Sequence, residues 1–318
     1  MPICVNCGSN VYALYTQYES AYNLRLEQCS QCQAFADPYV EHDTLTVVLD
    51  LILLKKAVFL HLIFNRGSEP RRVTTTMTKD ASSVIPKNNP QSQDAKELDR
   101  YLATAKLGTG LVILDAVIRC SRDGLLSSDA VMGSRAKDFA IVLAHCIGET
   151  IVFHTAIASA CYVLLPAINK MRLSMSGDSM AMSSAVGSVF KLSHVPLTIL
   201  YSSLTKFFLL SLLSIWSPGH SSGTPPSTAP FKGHPIMHAI WTMFDETALD
   251  REWIVRNMLG GMAAGFGLRV VLDCHPIFIT IIIGVGWVTK VIFTGLVYEL
   301  TTPLAELQED GWMKYSIP

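Results

Sequence analysis

The 318-residue chain is 50% hydrophobic and 16% charged, with a formal net charge of −1 and a mean hydropathy of +0.34. This composition excludes a charge-rich disordered chain, and the near-zero balance removes any whole-molecule attraction to nucleic acid. It points to a helical membrane protein. No basic and apolar leader precedes Cys4, so the amino terminus is expected to start in the cytosol.

Two Cys-x2-Cys pairs open the chain, Cys4 with Cys7 and Cys29 with Cys32. Each pair supplies two thiolates from one tight turn, and four thiolates complete a tetrahedron. The set is expected to hold a structural zinc ion with no open coordination position; iron–sulfur, redox and disulfide roles are the alternatives. Gly8 follows the first pair, where a positive φ lets backbone N–H groups approach the sulfurs. The stretch "VYALYTQYESAYNLRL" predicts two short strands between the pairs. Its tyrosines, Tyr12, Tyr15, Tyr18 and Tyr22, are read as the small core of a ribbon at 1–36. Base stacking is disfavoured because Arg25 is the only Lys or Arg before Lys55, so no nucleic-acid partner is expected. Cys120, Cys146, Cys161 and Cys274 lie scattered in apolar sequence and read as small buried hydrophobes.

Leu45 to Phe64 is long enough to span a bilayer. Its fourteen Leu, Ile, Val and Phe residues favour insertion by roughly 4–8 kcal/mol, whereas Asp50, Lys55 and Lys56 oppose it by about 8–10 kcal/mol. The balance predicts an interfacial helix, with Lys55 and Lys56 reaching headgroups and Leu49, Ile52, Phe59 and Ile63 dipping into acyl chains. A soluble amphipathic helix packed on the ribbon is the alternative.

The run Cys4, Cys7, Gly8, Leu14, Tyr15, Cys29, Cys32, Asp37, Tyr39, Glu41, Asp43, Asp50, Lys55, His61 and Asn65 resembles the amino-terminal homology domain of the Arv-like proteins. The clip followed by "DPYVEHD" and "LHLIFN" carries the likeness, over about residues 3 to 66. It departs at "CSQC", where the family has proline after the cysteine, and at Phe59, Leu60 and His61, where the family reads Tyr-Arg-His. The resemblance implies a multi-pass endoplasmic-reticulum membrane protein of sterol and lipid homeostasis, with sterol and other membrane lipids, and membrane proteins of that compartment, as partners.

Residues 67–97 are polar and rich in Pro and Ser and read as a disordered linker, and "SPGHSSGTPPSTAPFKGHP" as a second one. Phe139 to Leu165 and Val195 to Trp216 are predicted spans. Ile254 to Tyr298 is expected to make two more, broken near Pro276. Leu107 to Ile118 is too short to cross and reads as interfacial or re-entrant. With four spans, the ribbon, the Ser217 to Pro235 linker and the carboxyl terminus are all expected in the cytosol.

Ionisable residues inside these runs read first as glue between the helices, with a lipid-headgroup or proton-handling site as the sharper alternative. His145 and Glu149 stand at i,i+4, as do Asp115 with Arg119 and Arg269 with Asp273. Tyr201 and Lys206 sit at mid-membrane depth in "YSSLTK", and with Leu197 match a proposed cholesterol pattern. The membrane and lipid candidates are therefore Asp50, Lys55, Lys56, His61, His145, Glu149, Tyr201 and Lys206. Gly261 and Gly265 read as close helix packing.

The expected fold is a zinc ribbon at 1–36, an interfacial helix segment at 37–66, a linker at 67–97 and an all-α polytopic membrane domain at 98–318 with about four transmembrane helices. No His-Glu-x-x-His, nucleophile elbow or phosphate loop occurs, and a non-enzymatic role is expected. The alternatives are an accessory subunit of lipid-linked glycosyl transfer, as in glycosylphosphatidylinositol synthesis, and a membrane-anchored zinc-ribbon adaptor.

Overall fold

The structure is a computed structural model, and it describes residues 2–18, 24–72, 90–122, 132–175, 190–216 and 254–301. Short strands β1 (Tyr15–Gln17) and β2 (Leu24–Leu26) pair antiparallel, with Tyr15 opposite Leu26, and β3 (Arg71–Arg72) adds parallel to β1. The ribbon's core is Val11, Leu14 and Ala36 packed on Cys4 and Cys29. Of the four tyrosines expected there, Tyr15 packs against it, partly buried, whereas Tyr12 is 53% exposed and Tyr18 37%, and Tyr22 lies outside the described residues.

The Leu45 to Phe64 run is not one helix. It divides into α1 (Thr44–Ile52) and α2 (Lys56–Leu60), the latter widening into a π turn at His61–Asn65. The break is a Schellman stop, with the Lys55 N–H donating to the Asp50 carbonyl at 3.0 Å, the Leu54 N–H to the Leu51 carbonyl at 3.0 Å, and Leu54 at φ 56. The Lys55 ammonium closes the same turn on the Asp50 carboxylate at 2.7 Å. The result is a helical hairpin.

Four long helices carry the rest: α3 (Pro90–Arg122), α4 (Met132–Met175), α5 (His194–Trp216) and α7 (Pro276–Thr301). Between the last two, a π turn at Ile254–Leu259 leads into α6 (Gly260–Leu272). Four helices are long and apolar enough to cross a membrane: Glu97–Ser121, Ala136–Pro166, His194–Leu213 and Pro276–Val297. Leu107 to Ile118, expected too short to cross, is thus part of a candidate span. Its helix begins at Pro90, inside the stretch expected to be linker, because the polar turns "PQSQDAKELDR" continue the helical backbone ahead of the apolar run. Residues 73–89 and the Ser217 to Pro235 linker lie outside the described residues.

Contacts along the helices give their relative directions. Lys191 pairs with Glu97, and Phe64 meets His194 with ring centroids 5.0 Å apart, so α3 and α5 both start at the ribbon end. α6 runs against α5, with Gly260 beside Lys206 and Gly267 beside Thr198; α7 runs against α4, with Gly286 beside Ile157 and Gly148 beside Phe293. The end of α5 and the start of the Ile254 turn therefore share the face opposite the ribbon. The same holds for the end of α7. This replaces the expected arrangement with all three on one side, and the added span from Glu97 accounts for the difference. Glycosylation tags placed at the ribbon's amino terminus and within residues 217–235 are expected to differ, one modified and the other not. Identical results for both would contradict this topology.

Close approach between helices depends on glycine at two crossings. A Cβ at Gly286 would stand 2.7 Å from Ile157 and 3.0 Å from Phe153, and one at Gly267 would stand 3.0 Å from Thr198 and 3.2 Å from Phe59. All four neighbours are fully buried side chains. Gly286→Val is expected to destabilise the α4–α7 contact by about 1–3 kcal/mol, read as a lowered melting temperature of the detergent-solubilised protein.

Candidate metal centre and membrane joint

Each cysteine pair sits in the same backbone knuckle. In the first, the Gly8 N–H donates to the Cys4 carbonyl at 2.8 Å and the Cys4 N–H to the Ser9 carbonyl at 2.8 Å. In the second, the Gln33 N–H donates to the Cys29 carbonyl at 2.9 Å and the Cys29 N–H to the Ala34 carbonyl at 2.8 Å. Gly8 takes φ 75, as expected, and Gln33 takes φ 60 at the equivalent place. Glutamine there accepts a left-handed conformation that glycine takes at no cost.

The two knuckles face each other, and all four sulfurs lie within 4.8 Å of one another. Cys4 and Cys32 Sγ are 3.7 Å apart, and Cys7 and Cys29 Sγ 3.6 Å. Four sulfurs ~2.3 Å from a central ion lie ~3.8 Å apart in a tetrahedron, so donor type and spacing both fit zinc. Burial pushes the Cys4 thiol up to about 12. Burial would raise Cys29 too, but the Ser9 hydroxyl and the Cys32 and Gln31 backbone N–H groups outweigh it and bring that thiol down to about 6. Ser9 Oγ stands 2.9 Å from Cys7 Sγ and 3.3 Å from Cys29 Sγ, a contact that spacing alone did not single out.

The ribbon is joined to the hairpin by a buried polar knot. Asn65, 2% exposed, accepts from the Ile3 N–H at 2.9 Å and donates to the Ile3 carbonyl at 2.8 Å and to Asp37 Oδ2 at 2.7 Å. Asp37, fully buried, also holds His61 Nδ1 at 2.7 Å and caps the Tyr39 N–H at 3.0 Å. The Tyr39 hydroxyl donates to Asp50 Oδ2 at 2.8 Å. Burial, then this bond to Asp50, raises the Tyr39 pKa; the Lys55 contact lowers that of Asp50.

The hairpin also packs into the bundle. Phe59 and Ile63, expected to dip into acyl chains, are buried against Leu197, Tyr201, Val270 and Val271, each contributing about 1.5–3 kcal/mol of burial. Thr205 Oγ1 donates to the Ile52 carbonyl at 3.0 Å, so the hairpin follows about 16 Å of α5 from His194. One face alone, Leu45, Leu49 and Leu53, remains exposed, as do Lys55 and Lys56.

The remaining candidates fall in two places. Tyr201 belongs to the hairpin core. Lys206, 1% exposed, belongs to a charge cluster deeper in the bundle, so the cholesterol-like pattern is turned into the protein with Leu197. His145 and Glu149 meet at 3.0 Å, and Glu149 is also held by Arg119 at 3.0 Å and Lys290 at 3.1 Å. Asp115 binds Arg119 at 2.9 Å and Arg256 at 2.7 Å. Arg256 and Lys290 were not singled out in the sequence, where each is a lone cation in an apolar run. Cys120, Cys146 and Cys161 are buried, as expected.

Acid should release the metal before it protonates Asp50. Protonating the thiolates releases the metal, whereas the depressed Asp50 carboxyl stabilises the hairpin at every pH above ~3.9 and loses that effect only as pH falls through its lower folded value. Titration with a colorimetric zinc indicator alongside circular dichroism is expected to show zinc release first, with the helix content of the long helices intact. Simultaneous loss would contradict this order.

A family model described as the Arv1-like family matches residues 3–224. The chain is 48% identical to Protein arv1 of Schizosaccharomyces pombe over 63 residues, covering 20% of this chain and 24% of the relative. It is 41% identical to Protein ARV1 of Saccharomyces cerevisiae over 63 residues, 20% and 19% of the two chains, and 31% identical to Protein ARV1 of Mus musculus over 62 residues, 20% and 23%. These matches span about a quarter or less of each relative's length. No solved structure matches the chain.

Proposed function

This chain belongs to the Arv1-like family, and on that premise we propose that it is a non-catalytic protein of the endoplasmic-reticulum membrane. Its role is intracellular sterol transport and the homeostasis of sterol, sphingolipid and glycosylphosphatidylinositol precursors. Its ribbon is cytosolic and carries one structural zinc ion on Cys4, Cys7, Cys29 and Cys32. Membrane lipids, with sterol first, and proteins of the same membrane are its partners.

One observation carries this reading. The family-like residues Asp37, Tyr39, Asp50, Lys55, His61 and Asn65 spend their polar groups on one another and on the Ile3 backbone, at the seam between metal clip and membrane helices. That is the chemistry of a joint: each carboxylate is consumed by a structural partner, which leaves them poorly suited to proton transfer with a substrate. A zinc ion held by four thiolates likewise keeps no position for water. The exposed apolar face of α1, Leu45, Leu49 and Leu53, suits contact with lipid.

The test is transfer of labelled sterol between donor and acceptor liposomes by the purified full chain. Transfer well above the protein-free rate, lost in Cys29→Ala, is expected. A rate equal to protein-free liposomes would overturn the sterol reading.

A further inference from the structure

Asp115 and Arg119 come from α3, Glu149 from α4, Lys206 from α5, Arg256 from the π turn before α6, and Lys290 from α7. These six side chains converge on one region. Lys206 lies within electrostatic reach of Asp115, Arg256, Lys290 and Arg119. Asp115, Glu149, Lys206, Arg256 and Lys290 are all under 9% exposed. Among the described residues, four cationic groups thus surround two carboxylates, and each carboxylate is shared between two of them. The Lys290 ammonium is 3.1 Å from Glu149 but makes no aligned hydrogen bond there.

Shared carboxylates hold Arg119, Arg256 and Lys290, while the Lys206 ammonium lies over the Phe207 ring at 4.3 Å; guanidinium and ammonium groups gathered in this way suit the several oxygens of a phosphate. Ionisable side chains are costly at this depth and mark ligand sites in membrane bundles. Lys206 and Lys290 each lie about 10 Å of helix from the span end opposite the ribbon. The cluster's less buried edge is His145 and Arg119, with side chains 25% and 17% exposed, between α4 and α3.

We infer that this cluster binds a phosphate group, presented by a lipid headgroup or free in solution, in the half of the bundle away from the ribbon. The site is independent of the sterol reading, because sterol carries no phosphate, and either can fail without the other.

The experiment measures retention of phosphatidic acid and of diacylglycerol with the same acyl chains by the purified, zinc-loaded full chain, using native mass spectrometry. Phosphatidic acid is expected to be retained at least ten-fold better. Lys206→Gln with Lys290→Gln should erase the difference, Lys290→Arg should keep it, and Arg25→Gln with Arg71→Gln, exposed on the ribbon, should leave it unchanged. Displacement by millimolar inorganic phosphate assigns the site to phosphate from either source, and resistance to it assigns the site to the lipid. Equal retention of the two lipids by the unmodified protein overturns the proposal, and so does a folded double variant that still discriminates or a loss produced by the surface pair. If the double variant does not fold, the two-lipid comparison and Lys290→Arg decide.

Discussion

Cys29→Ala is expected to abolish stoichiometric zinc binding and to unfold residues 2–36 while the long helices stay inserted. The ribbon's apolar core is small, five buried residues of which two are the ligands Cys4 and Cys29, too little to offset the entropy of ordering its loops. Structural zinc contributes about 10–16 kcal/mol in small clips of this kind. Removing one thiolate therefore removes most of what holds the ribbon. The spans depend on their own packing and on the bilayer. Metal analysis together with limited proteolysis checks this, and a variant whose ribbon resists protease as well as the unmodified protein would contradict it.

Glu149→Ala carries the second large effect. The carboxylate is 1% exposed and is contacted by Arg119, His145 and Lys290. Deleting it strands the fully buried Lys290 charge beside Arg119, and breaking a buried pair from one side costs about 3–5 kcal/mol. The paired change Glu149→Leu with Lys290→Met should recover most of the loss, because an apolar replacement of both partners is nearly neutral. Melting temperatures in detergent distinguish the cases. A loss below about 1 kcal/mol for Glu149→Ala would mark a hydrated surface contact instead.

The metal clip was legible because its chemistry is local: two Cys-x2-Cys turns dictate a tetrahedral site wherever the chain goes next. The break at Leu54 was not. A leucine-rich run reads as continuous helix, and only the backbone shows a leucine in the left-handed position that usually belongs to glycine. The span from Glu97 was hidden because its first turns are polar, so hydropathy registered only the inner stretch from Leu107 to Ile118. The pairing of His145 with Glu149 followed from helical spacing, but Arg256 meets Asp115 across 141 residues of sequence, and no local pattern announces such a contact. The motif residues Asp37 and Asn65 were visible as a resemblance; their task, locking the Ile3 backbone to the hairpin, emerged only from geometry.

The four-cysteine clip reaches the hairpin through Ile3, Asp37 and Asn65, and through them it is expected to set the hairpin's position against the bundle. Amide hydrogen exchange of the full chain, with zinc bound and after chelation, tests it most directly. Loss of zinc is expected to deprotect the ribbon and the hairpin at 44–65 together, while α4 and α7 keep their protection. A hairpin as protected without zinc as with it would contradict the account.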